Sequence, residues 1–207
     1  MTERSVARAS PERSETPGSP RSNVVKPGFH SPVTAADVAV AADVSVEVSA
    51  ATDALNSWTA GVTLVTVADG RDDVGATVSA FCPVSSDPPM VLVSLMSGSY
   101  LAEVFGRAEE PVTGFAVVLL AAGQRVLAGR FAAEGRPGAR LMVEDVPHHR
   151  GEASGALIVA GGLAALECAA ERVLVAGDHL LVVARITNVP YVTDAIEPLI
   201  RFRRGYR

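Results

Sequence analysis

Short runs of β-branched and apolar residues recur along most of this chain, and they constrain its fold more than any other feature. Such runs, separated by turn residues, predict strands. The predicted strands are 61–69, 74–81, 90–95, 114–121, two within 155–177 around Gly161-Gly162, 179–192 and a short last one within 198–206. The turn at 69–73 predicts a hairpin between the first two, and the apolar run at 90–95 is expected to be buried on both faces. Helices do not alternate with every strand. A mainly β, antiparallel barrel of Greek-key type is therefore favoured over a doubly wound parallel sheet.

A few short helices complete the predicted domain. Residues 47–58 have helical composition, with Leu55 and Trp58 three apart on one face, and we expect Trp58 to pack against the domain. A further helix is predicted over 123–132. Its apolar residues at helical spacing are Val126, Leu127 and Phe131.

The remaining connections are one helix and two loops. Residues 98–108 predict a short helix, with Ser97 or Ser99 at its N-terminal entry. Residues 83–89 predict a loop, because proline removes donors from a strand ladder. Residues 133–154 are rich in glycine, histidine and charge, and predict a long loop.

The first 46 residues differ in composition from the rest. Residues 1–33 are rich in Ser, Pro and Arg and lack an apolar stretch, so they cannot bury enough surface to offset the entropy of ordering them. We predict disorder there, a low-complexity Ala/Val/Asp segment over 34–46, and one domain over 47–207. No secretory signal is indicated. An organellar transit peptide is an alternative, against which three glutamates within 1–33 argue.

Composition and motifs exclude several classes of function. The net charge of −5 without a dense basic patch argues against nucleic acid as a partner. No window approaches 18 uncharged apolar residues, so no membrane span is predicted. Two cysteines without a CxxC pair argue against a disulfide framework or a zinc site, and free thiols suit the cytoplasm. The motifs GxSxG, HExxH, GxGxxG and the Walker loop are absent from the sequence.

Four reactive or metal-binding side chains are expected to be structural. His148 and His149 are neighbours in a predicted loop, and sequence neighbours rarely face one metal, so we expect a surface pair. Nothing near Cys82 in the sequence would lower its pKa, so an uncharged packing thiol is expected there. Cys168 is expected in the core.

Two other features could serve a ligand. In Ala-Thr-Val-Ser-Ala-Phe, strand alternation places Thr77 and Ser79 on the face opposite Val78 and Ala80. That face could present hydroxyls and main-chain N–H groups to a flat polar ring, or it could simply be exposed to solvent. A Gly-Asp turn delivers His179 to the start of a strand, where a histidine is more often structural or exposed.

Five segments, taken in order, resemble one known family. They are GVTLVTVADG, GATVSAFCPVSSDPPMVLVSL, FAVVLLAAGQRVLAGRFA, LECAAERVLVAGDHLLVVARI and FRRGYR, and the resemblance covers residues 48–207. Their order and spacing resemble the flavin reductase-like, FMN-binding split-barrel family, which includes reductase components of two-component flavin monooxygenases. The resemblance implies a six-stranded antiparallel split barrel that forms a homodimer, with flavin at or near the interface.

The resemblance also implies roles for particular residues. The segment lining the isoalloxazine ring would comprise Ala76, Thr77, Val78, Ser79 and Ala80. The phosphate-binding segment after the third strand would contain Ser94, Ser97 and Ser99, with Ser99 on the family's usual serine. His179 falls on the family's Gly-Asp-His, a position implicated in contacting the nicotinamide nucleotide. Arg204 and Tyr206 fall where similar proteins close over the cofactor.

The implied function is NADH- or NADPH-dependent reduction of FMN or FAD, with reduced flavin passed to a partner monooxygenase. The chain has Leu101 where the family often has a hydroxyl, and Cys82 in place of a common Thr, Asn or Ser. It also has 118–120 as Val-Leu-Leu, where an Asn is usual. These departures favour loose binding and release of the flavin. Two alternatives stay open: an oxidase or oxygenase that keeps its flavin, and a non-enzymatic module that binds flavin, or haem through His148 or His149.

Overall fold

The computed structural model describes residues 47–70, 73–107, 112–194 and 196–207. The predicted N-terminal extension, 1–46, lies outside the described residues. The helices are α1 (Val48–Asn56), α2 (Tyr100–Gly106), α3 (Arg125–Ala132, preceded by a 3₁₀ turn at Ala122–Gln124) and α4 (Ala139–Met142). The strands are β1 (Ala60–Gly61), β2 (Thr63–Val67), β3 (Val74–Val78), β4 (Phe81–Ser86), β5 (Pro89–Met96), β6 (Gly114–Leu119), β7 (His148–Arg150), β8 (Leu157–Val159), β9 (Ala164–Ala176), β10 (His179–Val192), β11 (Ile200–Phe202) and β12 (Gly205–Tyr206).

The main sheet has seven strands in the order β3-β2-β6-β9-β10-β5-β4, and every neighbouring pair is antiparallel. The predicted mainly β, antiparallel architecture with few helices is therefore confirmed, as is the hairpin between the first two predicted strands. The N–H of Ser94 on β5 donates to the carbonyl of Ala80, just after β3, at 2.9 Å. Closure of the sheet into a six-stranded barrel stays a prediction.

The prediction of a loop at 83–89 is wrong, because β4 occupies most of it. Among the described strands, β4 lies at the edge of the sheet and pairs with β5 alone, with a register shift between Pro83 and Ser85. An edge position and a bulge are two of the places where a strand accepts proline, since neither needs the missing N–H. The predicted strand at 74–81 correspondingly ends at Val78.

Alternate residues of the central strands belong to two core clusters. On β2, Leu64 belongs to the cluster packed against α3, whereas Val65 and Val67 belong to the one packed against α2. β5 does not follow this pattern. Its Val91, Val93 and Leu95 are buried, while the residues between them are half-buried, so the expectation of burial on both faces is wrong.

The ends of the described chain differ most from expectation. The predicted packing of Trp58 is wrong: α1 buries no residue, and the side chain of Trp58 is 75% exposed. The last predicted strand divides into the β11–β12 hairpin, whose turn holds Arg203 and Arg204 at φ values of 48° and 63°.

The α3 region also departs from the pattern in part. Leu127 and Phe131 are buried, but the predicted apolar face also included Val126, which is exposed. Residues 133–154 contain α4 and β7 rather than loop alone.

None of the described helices is long and apolar enough to cross a bilayer.

Candidate active site

A cavity of about 1010 Å³, here called the large cavity, opens beside β3 and β5. Its walls are β3 and the two residues after it, the end of β5, the start of α2 and the loop between α3 and α4. Eight residues predicted from the sequence line it together: Ala76, Thr77, Val78, Ser79, Ala80, Ser94, Ser99 and His179.

A second cavity of about 840 Å³ adjoins the first and is called the arginine cavity. It lies between α1, the start of β4 and the β11–β12 turn, and it holds Arg203 and Arg204 beside the exposed ring of Trp58. Five residues line both cavities and are called the shared wall: Ser79, Ala80, Ser94, His179 and Arg201. Two ligands, one in each cavity, could therefore meet at this wall.

The small residues near β3 serve two purposes. A Cβ atom on Gly75 would lie 2.7 Å from Cε1 of the buried Phe131 ring, so the glycine allows α3 to pack against β3. Ala76 and Ser79 are half-buried and Ala80 is exposed, which leaves open space beside the strand end. Small side chains here permit a flat ligand to approach the main chain.

The two hydroxyls of this strand are used differently. The hydroxyl of Thr77 donates to the carbonyl of Ala128 on α3 at 2.7 Å, so it ties the wall of the cavity to the helix. Within the described part of the chain, the Ser79 hydroxyl has no hydrogen-bond partner. Ser79 is therefore the hydroxyl that can turn toward a ligand.

The segment after β5 is shaped by the start of α2. The Ser99 hydroxyl accepts a hydrogen bond from the Ala102 N–H at 3.2 Å as the helix cap, and its own proton stays free to donate. Leu101 is fully buried in the core, which accounts for a leucine at this position. Ser97 is exposed and lies outside both cavities, although its N–H donates to the Asp178 carbonyl.

His179 stands at the start of β10 in the shared wall. Its Nδ1 lies 2.7 Å from Oδ1 of Asp178, and this hydrogen bond lowers the pKa of the Asp178 carboxyl. The contact fixes the imidazole through one nitrogen and leaves Nε2 for a ligand.

The two C-terminal candidates are separated by the structure. Arg204 lines the arginine cavity, whereas Tyr206 lines neither cavity and packs against the core cluster of α3.

The two cysteines differ in burial, and the neighbouring histidines are exposed. Cys168 is buried, as expected, and burial raises the pKa of its thiol to about 12. Cys82 is exposed, so the expectation of a packing thiol is wrong there. His148 and His149 are exposed neighbours on β7, and the described residues contain no group of three metal-binding side chains.

Sequence reasoning missed three cations, one of which is Arg203 in the arginine cavity. Arg201 belongs to the shared wall, and Arg136 reaches the large cavity from the loop between α3 and α4. The only signal for Arg136 was its place between glycine and proline in a segment predicted to be a loop. With Arg203 and Arg204 they make the two cavities a site for anionic ligands.

The site fits a flavin and a nicotinamide nucleotide. The large cavity has the size of a cofactor pocket. Its walls offer small side chains, free main-chain edges and hydroxyls to a planar ring, and the arginines offer charge to phosphates. The described residues of both cavities include one histidine and no carboxylate pair placed for general acid–base work. Such a site suits chemistry supplied by bound cofactors.

Comparison with known proteins supports this interpretation. An NADH-dependent FMN reductase, AsuE2, of Streptomyces nodosus subsp. asukaensis is 36% identical over 146 residues, which are 70% of this chain and 76% of that protein. The reductase component of 4-hydroxyphenylacetate 3-monooxygenase of Thermus thermophilus is 32% identical, covering 75% of this chain and 92% of that protein.

A solved structure agrees with both. The NADH:FAD oxidoreductase SgcE6 of Streptomyces globisporus, in complex with NAD and FAD fragments, superposes with a TM-score of 0.67 at 29% identity. The match covers 76% of this chain and 89% of that one. The family profile described as "Flavin reductase like domain" matches residues 55–207. The chain therefore belongs to the flavin reductase-like family.

Proposed function

We propose that this protein is an NADH-dependent flavin reductase that reduces FMN or FAD and releases the product to a partner monooxygenase. The observation that carries the proposal is the pair of adjoining cavities with a shared wall at His179 and Ser79. Two planar rings must lie in contact for hydride transfer, and this geometry allows them to meet. The relatives supply the cofactor classes and the partner class.

When bound, the dihydronicotinamide supplies a hydride and the flavin ring accepts it. The protein binds and orients the two rings. We assign the flavin to the large cavity, along 76–80, where the Ser79 hydroxyl and main-chain N–H groups can stabilise negative charge on the reduced ring. His179 orients the nicotinamide from the shared wall, and Ser99 donates its free proton toward a phosphate.

The arginine cavity would hold the rest of the nicotinamide nucleotide. Arg203 and Arg204 lie in a tight turn whose left-handed backbone turns both residues toward one end of the hairpin. Their guanidinium groups suit a diphosphate. Tyr206, which packs against the core, would support this turn from behind.

The preferred acceptor and the tightness of binding can be measured together. Purified protein is mixed with NADH or NADPH and with FMN, FAD or riboflavin, and nicotinamide oxidation is followed by absorbance. We expect flavin-dependent NADH oxidation and loss of flavin on dialysis. A yellow protein that keeps its flavin and turns over added flavin poorly would instead indicate an oxidase or oxygenase.

We also propose a homodimer in the cytoplasm. Leu55 and Trp58 are 73% and 75% exposed beside the arginine cavity, and Val84 on the edge strand β4 is 53% exposed. A second copy of the chain would cover these exposed apolar side chains. Light scattering on the purified protein should give twice the chain mass, and Trp58→Ser should weaken the dimer. A monomer at micromolar concentration would contradict the proposal.

A further inference from the structure

Arg136 differs from most other arginines that the structure describes near the large cavity. Arg130 is paired with Asp145 at 2.6 Å, and Arg140 and Arg150 are both paired with the buried Asp73. Among the described residues, no carboxylate lies within 4.0 Å of the Arg136 guanidinium. Its charge therefore lacks the counter-ion that these neighbours have.

Arg136 is nevertheless held in a fixed position. Its Nε donates to the carbonyl of Gly75 on β3 at 3.1 Å, and its Nη1 donates to the carbonyl of Ala133 at 3.0 Å. The side chain is half-buried, and burial lowers the pKa of the guanidinium, which still stays charged at neutral pH. A half-buried cation without a counter-ion is costly unless a ligand supplies the negative charge.

The guanidinium keeps donors for such a ligand. Two of its five N–H groups are used by the two carbonyls, and three remain. The carboxylates that also line the large cavity do not compete for them. Glu134 is exposed, and Asp73 is engaged by two other arginines. Arg136 thus contributes a fixed guanidinium with free donors to the wall of the large cavity, which suits phosphate.

We propose that Arg136 binds a phosphate group of a nucleotide held in the large cavity, supplied by either the flavin or the nicotinamide nucleotide. This inference rests on the proposed function. Arg136 would be a positioning residue: it would act on affinity for the phosphorylated ligand and would not touch the reacting ring. The hydrogen bond from Arg136 to the carbonyl of Gly75, the residue before 76–80, connects the proposed phosphate site to the segment proposed to line the flavin ring.

The test compares Arg136→Gln with the wild type and with Arg125→Gln. Arg125 is exposed at the start of α3 and lines neither cavity, so it controls for loss of one charge nearby. Losing a charge-assisted contact should raise a KM about 10- to 100-fold. If the flavin supplies the phosphate, the KM for FMN rises and that for riboflavin stays within about twofold. If the nicotinamide nucleotide supplies it, the KM for NADH rises with riboflavin as acceptor.

The inference is overturned if every KM stays within about twofold of the wild type, or if FMN and riboflavin are weakened equally while NADH is unaffected. A wild type that oxidises no NADH with any flavin would refute the proposed function instead. Equilibrium binding of FMN and riboflavin, followed by flavin fluorescence, then still tests Arg136.

A second measurement avoids any folding defect of the variant. In the wild-type protein, phenylglyoxal modification of Arg136 is followed by mass spectrometry. Protection by FMN or NADH but not by riboflavin supports the inference. Equal modification with and without FMN and NADH overturns it.

Discussion

Two glycine-to-alanine substitutions, at Gly75 on β3 and at Gly129 within α3, should change the free energy of unfolding in opposite directions. A Cβ on residue 75 would lie 2.7 Å from Cε1 and 3.1 Å from Cδ1 of Phe131, and 3.3 Å from Cγ2 of Thr66. The Phe131 ring is 1% exposed and cannot simply swing away. Overpacking of this kind costs about 1–3 kcal/mol, less the ~0.4–1 kcal/mol that alanine gains by restricting the unfolded chain. We expect Gly75→Ala to lower the free energy of unfolding by about 1–2 kcal/mol.

Gly129 is the matched control. It lies within α3, where an added Cβ would meet no atom within 4 Å. Alanine there should stabilise the protein by about 0.5–1 kcal/mol through helix propensity alone. The two variants should therefore differ by roughly 1.5–3 kcal/mol in urea unfolding at an unchanged m-value.

The double variant tests the cause. Phe131→Leu removes the ring atoms that the new methyl group would meet, so Gly75→Ala should cost less than about 0.5 kcal/mol in that background. Equal stability changes at positions 75 and 129, or an undiminished cost beside Leu, would refute the packing argument.

Three further outcomes follow from the site and its supports. His179→Ala should raise the KM for NADH about tenfold in steady-state assays, as expected for the loss of one hydrogen bond, and should change the KM for flavin less than about twofold. Burial raises the pKa of the Glu167 carboxyl, but hydrogen bonds from Asn188, Ser154 and the Ala153 N–H outweigh this and lower it. Glu167→Gln should therefore destabilise the protein by about 2–4 kcal/mol at pH 7. The difference should shrink as the pH falls from the unfolded-state pKa of about 4.3 through the lower pKa of the folded carboxyl, which is then protonated. A chain starting at residue 47 should keep the melting temperature and flavin reductase activity of the full chain, since we predict that 1–46 adds nothing to the core.

The strands were predictable because their signal is local. The β2–β3 hairpin follows from two β-branched runs separated by turn residues, and β9 and β10 follow from long apolar runs. β4 was not predicted because its proline argues against a central strand. Proline is tolerated on an edge strand, but whether a strand lies at the edge depends on the whole sheet. The packing of Trp58 was predicted wrongly because the hydrophobicity of a side chain does not show whether another part of the same chain covers it.

Only part of the site could be predicted from the sequence, again because some contacts join residues that are distant in the chain. Ser79 and His179 could be found because each lies in a segment that resembles the family, whereas Arg136 and Arg201 could not. Their relevance depends on contacts distant in sequence, such as that between Arg136 and Gly75. No periodicity carries that information.

β5 shows how one strand can both stabilise the fold and form the site. Its Val91, Val93 and Leu95 point into the core, while Leu92 and Ser94, on the other face, line the cavities. A ligand at Ser94 therefore rests on a strand anchored by pairing with both β4 and β10. Hydride transfer needs two rings held at a fixed separation, and a wall built on a paired strand can hold them without a closing lid.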